Sequence, residues 1–220
     1  MLELLDGAVG TRMDLDDYYR DFERHFWQVN EFWKLERGQT FAEPGDASWE
    51  AFNQGDWAES LRRLEIRRSD LLSYHRQAAE AGVSTCRIRV VEEPLSAYLQ
   101  WELNLLKIRD ETGGPIRVID ASEVAEFEAD GPLPELYTLG DAVMYQAIYD
   151  DRGVLAYALK YTDAQLIGRS RDFIRRLYER GEPVGSYFER EVKALPPARP
   201  EHPLPAGYLD ETGRPGPIRS

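Results

Sequence analysis

The chain has 220 residues, enough for one domain with a full core, and its 40 acidic against 27 basic side chains leave a formal net charge of −13. Self-repulsion of that size favours solubility and argues against bare nucleic acid or an anionic membrane as the main partner. A single cysteine, Cys86, excludes an internal disulfide and a CxxC metal site, and His25, His75 and His202 lack the spacing of zinc ligands.

The opening run MLELLDGAVGTRMDLDD has no basic region followed by a long apolar stretch, so no signal peptide is expected. No apolar window approaches the ~18 residues of a membrane span, and a cytoplasmic setting is expected. Hydrophobic residues make up 42%, a globular composition.

Residues 15–36 are dense in aromatics, and positions 18/19, 22, 26, 29 and 33 follow a helical spacing, which predicts a core or interface helix. Residues 37–55, rich in Gly, Pro, Asp and Ser, read as loop. Asp56 with Glu59 forms a capping box that opens a helical stretch to about Ala81, with a break near Ser69-Asp70 and Gly82 as the stop. In it, Arg62, Arg63, Arg67 and Arg68 make a solvated face with Glu59 and Glu65, and His75 is expected to be packed and hydrogen-bonded.

The period then changes. Thr85–Val91 is short and β-branched, a strand. Leu95–Glu111 reads as a helix entered through Pro94 and closed by Gly113-Gly114, and 115–119 reads as a second strand. Strand, helix, strand implies a parallel βαβ unit. Residues 120–136 are an acidic connection. The runs 142–149 and 154–161, around a Gly-ended turn, predict a hairpin. Thr162 with Gln165 caps a last long helix to Arg180, with Leu166, Ile167, Phe173, Ile174 and Leu177 as its buried stripe. Its arginines, 169, 171, 175, 176 and 180, read as a solvated face, with a docking surface for an acidic partner or nucleic acid as the alternative. A shorter helix is expected over 186–195.

The expected fold is therefore α/β: a small mixed sheet with a βαβ unit and a C-terminal hairpin, flanked by helices. The expected organisation is an aromatic helical segment and loop over 1–55, the α/β domain over 56–195, and a Pro-rich flexible tail over 196–220, which holds seven of the 13 prolines.

Four stretches resemble a domain-of-unknown-function family of actinobacteria: Trp33-Lys-Leu-Glu-Arg-Gly-Gln-Thr-Phe41, Arg89-Val-Val-Glu-Glu-Pro-Leu-Ser-Ala-Tyr-Leu-Gln-Trp-Glu-Leu103, Phe127-Glu-Ala-Asp-Gly-Pro-Leu-Pro-Glu135 and Gly140-Asp-Ala-Val-Met-Tyr145. The likeness spans roughly residues 15–195. It implies no activity or catalytic residues; genes of the family often sit beside helix-turn-helix regulators, which implies regulatory partners. The element order also resembles half of a phospholipase-D-type domain that lacks the H-x-K nucleophile motif.

Two candidate sites follow. On the 95–111 helix, Glu102 falls in the middle of the apolar arc and Arg109 on the same side. A carboxylate aimed into a core needs a partner. Arg89 and Arg117 alternate with apolar residues on their strands and are expected to sit together under this helix. Arg89, Arg117, Glu102 and Arg109 are then either a structural ion cluster or an anion-binding pocket. The second site is the carboxyl edge of the strands, where open parallel sheets bind ligands. There Glu92, Glu93 and Asp120 could do acid–base work, or they are an ordinary helix entrance in which acids complement the dipole.

The expected function is a non-catalytic cytoplasmic binding or regulatory module that acts through a protein partner, a transcriptional regulator among them, or a small anionic ligand. The alternative is an enzyme that uses the strand-end carboxylates on an anionic substrate. No cofactor is required by the first reading; Mg²⁺ is the candidate for the second. Neither membrane nor direct nucleic-acid contact is expected.

Overall fold

A computed structural model describes residues 5–200 and 203–205. The elements run β1 (Thr11–Met13), α1 (Leu15–Phe26), β2 (Glu31–Glu36), α2 (Ala47–Asn53), α3 (Trp57–Ile66), α4 (Arg68–Glu80), β3 (Ser84–Val91), α5 (Ala97–Glu111), β4 (Ile116–Asp120), β5 (Leu136–Leu139), β6 (Val143–Tyr149), β7 (Leu155–Tyr161), α6 (Ala164–Arg180), β8 (Glu182–Pro183) and α7 (Val184–Tyr187). All eight strands form one mixed sheet in the order β1-β7-β6-β5-β2-β3-β4-β8. Its centre, β2-β3-β4, is parallel; every other pairing is antiparallel.

The expected α/β class, βαβ unit and hairpin are all present: β3-α5-β4 is the unit and β6-β7 the hairpin. The expected aromatic helix over 18–33 is corrected. It ends at Phe26, and Glu31–Glu36 is a strand at the middle of the sheet. The 1–55 segment thus supplies a central strand, and the helical stretch 57–80 is the crossover from β2 to β3. Of the tail, residues 201–202 and 206–220 lie outside the described residues, His202 among them. Within the described part, Asn53 and Leu204 exchange two hydrogen bonds of 2.8 and 2.9 Å.

The helices start where their caps allow. Asp14, Asp46, Asp56, Ser96 and Asp163 each accept a backbone N–H of the first turn, which satisfies donors that have no intrahelical partner. α6 covers one sheet face, where Leu166, Ile167, Phe173, Ile174 and Leu177 pack on Leu35, Ile88, Val90 and Ile119. α1 and α5 share the other face. α5 is buried on two sides: Leu99, Leu103 and Leu106 face the sheet and α7, while Trp101, Leu105 and Ile108 face α2 and α3. That double burial explains why its apolar arc is so wide.

Apart from the exposed Tyr19, the N-terminal aromatics pack in the core. Phe26 is buried, and Phe22, Trp27 and Phe32 pack beside it, while Trp33 packs against the α6 face. The exposed large apolar residues, Val9, Tyr19, Ile66, Leu72 and Leu195, come from separate elements. Among the described residues, no helix is long and apolar enough to cross a membrane.

Candidate anion-binding cavity

On the face shared by α1 and α5, β2 presents Phe32, Lys34 and Glu36, and β3 presents Thr85, Arg87 and Arg89, as their register pairs dictate. Charges on an inward face need partners. Arg89 uses four of its five donors: its Nε donates to Glu102 Oε2 at 2.7 Å, Nη1 donates to the carbonyls of Val90 and Glu36 at 3.0 and 3.3 Å, and Nη2 donates to the Gly38 carbonyl. The Arg89 side chain is fully buried and that of Glu102 nearly so. The expected Arg89–Glu102 pairing is therefore present, as a closed structural pair.

The expected place of Arg117 is corrected. Arg89 pairs with Val118 and Ile88 with Arg117 across β3 and β4, so the two arginines sit on opposite faces. Arg117 instead donates to the Gly181 carbonyl at 3.1 Å at the end of α6, with its guanidinium over the Tyr178 ring. A one-residue offset in register moves a side chain to the other face.

The strand-end carboxylates are each engaged separately. Glu92 pairs with Arg37 at 2.7 Å, Glu93 accepts the Tyr187 hydroxyl at 3.2 Å, and Asp120 Oδ1 accepts the Ser122 N–H at 2.8 Å. They do not line the large cavity of this fold. Among the described residues, no group of three or more His, Cys, Asp or Glu side chains is disposed to hold a metal ion.

That cavity, about 940 Å³, lies over the amino-terminal halves of β3 and β4, between α1, α4, the end of α5 and the loop after β2. Volumes of this order hold small molecules. Lys34, Glu36, Arg87 and Arg109 line its basic side. Glu36 ties Lys34 and Arg87 together, with Arg87 Nη1 at 2.9 Å from its Oε2. Burial raises the Glu36 pKa, but Arg87, Lys34 and Arg89 outweigh it and hold the carboxyl at about 2. Burial, with Arg87 nearby, pushes Lys34 down.

Arg109 is the exception in this network. Its Nε is buried with no hydrogen-bond partner, and among the described residues no carboxylate lies within ion-pair distance of it. Burial, then the neighbouring charges of Arg87 and Arg67, lower its pKa to about 10. It remains charged at neutral pH. Lys34 and Arg87 thus share one carboxylate while Arg109, among the described residues, pairs with none, a local excess of positive charge inside an acidic protein.

Aromatic walls complete the cavity, with Tyr18, Tyr19 and Phe22 from α1, Tyr74 from α4, and Tyr137 and Tyr149 from the sheet. His75 is packed as expected: its Nδ1 meets Thr112 Oγ1 at 3.0 Å, and its ring lies so close to Gly114 that a Cβ there would stand 2.5 Å from Nε2. Glu43 is accessible from the cavity, but the surrounding protein, with Glu102 beside it, pushes its carboxyl up to about 7. The Tyr98 hydroxyl lies 3.1 Å from Glu43 Oε1 and 3.3 Å from Glu102 Oε1, and so joins the structural pair to the cavity.

Of the expected ligand residues, only Arg109 lines the cavity. Lys34, Glu36, Glu43 and Arg87 went unread as site residues. The signal was present in the alternation of Phe32, Lys34 and Glu36 with Trp33 and Leu35, but it becomes visible only when that segment is taken as a strand.

Among curated proteins, no sequence matches this chain. One solved structure that is similar is "Structure of TrmBL2, an archaeal chromatin protein, shows a novel mode of DNA binding", at 11% identity and a TM-score of 0.40, covering 83% of this chain and 60% of that one. The present chain thus spans less than two thirds of that protein. The expectation of protein or small-ligand partners to the exclusion of nucleic acid is corrected by this match, because a similar solved protein binds DNA. A likeness this distant carries no argument about how the present chain binds anything. Residues 15–189 match the model of a domain of unknown function, DUF6879, and the chain belongs to that family.

Proposed function

We propose that the cavity binds a small organic anion and that the chain is a non-catalytic, cytoplasmic regulatory module that reports its presence. The observation that carries this is Arg109, a half-buried cation whose buried Nε has no acceptor, on the wall of a ring-lined cavity. An unpaired buried donor costs about 1–3 kcal/mol, more for a charged group, and a ligand carboxylate or phosphate would supply the missing acceptor. Arg87 and Lys34, which share Glu36, add attraction without a carboxylate each of their own. The aromatic walls suit a planar apolar body.

Thermal unfolding with benzoate, inorganic phosphate or a DNA duplex tests this reading. A small anion is expected to raise the Tm, since a ligand that binds only the folded state stabilises it. Arg109→Gln is expected to weaken that ligand by roughly 10- to 100-fold, the worth of one charge-assisted hydrogen bond. Stabilisation by the duplex alone, unaffected by Arg109→Gln, would overturn it.

A further inference from the structure

We infer that the anionic group held in the cavity is a phosphate monoester on a small ring-bearing molecule, gripped by the guanidinium forks of Arg87 and Arg109 together. This rests on the anion-cavity reading and names the class of anion. The two arginines come from different elements, β3 and the last turn of α5, and line one cavity. The charge of Arg87 reaches Arg109, and both charges reach Tyr74 and His75 on the same wall.

Neither fork is engaged. Among the described residues, no guanidinium N–H of Arg87 or Arg109 donates a hydrogen bond. Arg87 Nη1 stands 2.9 Å from Glu36 Oε2, yet that oxygen accepts no hydrogen bond, so the contact is an ion pair without an aligned N–H. Glu43, the other acid close to Lys34, meets the Tyr98 hydroxyl rather than either arginine. A guanidinium carries five donors in a fixed plane and takes an oxyanion through two of them at once. A carboxylate has two oxygens, which a single fork occupies. A phosphate monoester brings three acceptor oxygens and close to two negative charges at neutral pH, enough for a second fork. It also offsets the mutual repulsion of two neighbouring cations. Tyr18, Phe22, Tyr74 and Tyr137 supply the ring faces beside it, and a cavity of about 940 Å³ takes a small molecule.

Calorimetric titration of the full chain with benzoate and phenyl phosphate tests this, because the two share a ring and differ in the anionic group. Phenyl phosphate is expected to bind roughly 10- to 100-fold tighter. Arg87→Lys keeps the charge beside Glu36 but removes the fork, and is expected to cost phenyl phosphate about tenfold more than it costs benzoate. An equal loss for the two ligands overturns the two-fork grip. Equal affinity for them in the native chain overturns the phosphate and leaves the anion cavity standing, whereas failure of both to bind overturns both readings. A phosphotyrosyl peptide carries the same group on a polypeptide and is expected to bind more weakly than phenyl phosphate, since α1 and α4 wall the site. Tighter binding of the peptide overturns the small-molecule source.

Discussion

Arg89 and Glu102 meet at 2.7 Å beneath α5, and three further hydrogen bonds of the guanidinium end on backbone carbonyls. The pair locks the helix of the βαβ unit onto its first strand and leaves nothing for a ligand. Glu102→Ala is expected to destabilise the fold by about 3–5 kcal/mol, because it strands a buried charge. Replacing both partners with apolar residues is expected to recover much of that loss. Urea unfolding of the two single variants and the double variant measures the coupling; a cost below about 1 kcal/mol for Glu102→Ala would remove the lock.

Asp21 fastens α1 over the other half of the same face. Its Oδ2 accepts the Tyr145 hydroxyl at 2.7 Å and the Lys160 ammonium, and the residue is buried. Asp21→Ala is expected to cost about 2–4 kcal/mol and to loosen the cavity wall that α1 provides. Hydrogen exchange checks this: α1 amides should lose protection before those of β3. Uniform loss throughout the chain would contradict a local role.

Glu135 gives the stability a pH signature. Burial outweighs the nearby Arg89 and the N–H groups of Arg37 and Gly38 and pushes its carboxyl up to about 7. The folded chain therefore holds this proton more tightly than the unfolded chain, so its contribution is full below the ordinary glutamate range, about 4.3, and lost as pH rises through about 7. Glu135→Gln is expected to gain stability over the native chain by on the order of 2–3 kcal/mol between about pH 5 and pH 8. Glu36 acts in the opposite sense: held at about 2, it stabilises above the ordinary glutamate range and loses that contribution as pH falls toward 2. Denaturant midpoints of Glu135→Gln and Glu36→Gln from about pH 2 to pH 8 separate the two groups. A Glu135→Gln difference that does not change with pH would contradict the account.

Gly114 leaves room for the His75 ring, and a Cβ there would lie within 2.9 Å of two ring atoms. Gly114→Ala is expected to cost about 1–3 kcal/mol through overpacking. Adding His75→Ala should make the alanine nearly neutral, which a double-mutant cycle by thermal unfolding would show. Full additivity of the two changes would place the strain elsewhere.

Much of the scaffold was legible because period and punctuation agree. β3 ends at an acidic turn, α5 closes on glycines, and the α6 stripe repeats every three or four residues. Glu102 was legible too, since a lone acid in an apolar arc demands a partner. β2 was not. The helical spacing of Tyr18, Phe22 and Phe26 is real, and by accident it runs on to Val29 and Trp33, masking a strand whose cavity face carries Lys34 and Glu36. Without that strand the basic floor has no place. Arg117 failed for another reason: side-chain alternation was read correctly, but which face a residue takes depends on register, and the offset of Arg89 onto Val118 is set by three-dimensional closure of the loop before β4. The carboxyl ends of the parallel strands, by contrast, carry Glu92, Glu93 and Asp120 engaged separately. In this fold the cavity opens over their amino-terminal halves, where α1 crosses the sheet.

The most direct test watches two guanidinium groups at once. In a ¹⁵N-labelled sample titrated with benzoate, the Nε–H resonance of Arg109 is expected to shift with saturation while that of Arg89, already bonded to Glu102, stays in place. Movement of the Arg89 signal with a silent Arg109, or no movement of either, would contradict the assignment of the anion to the cavity floor.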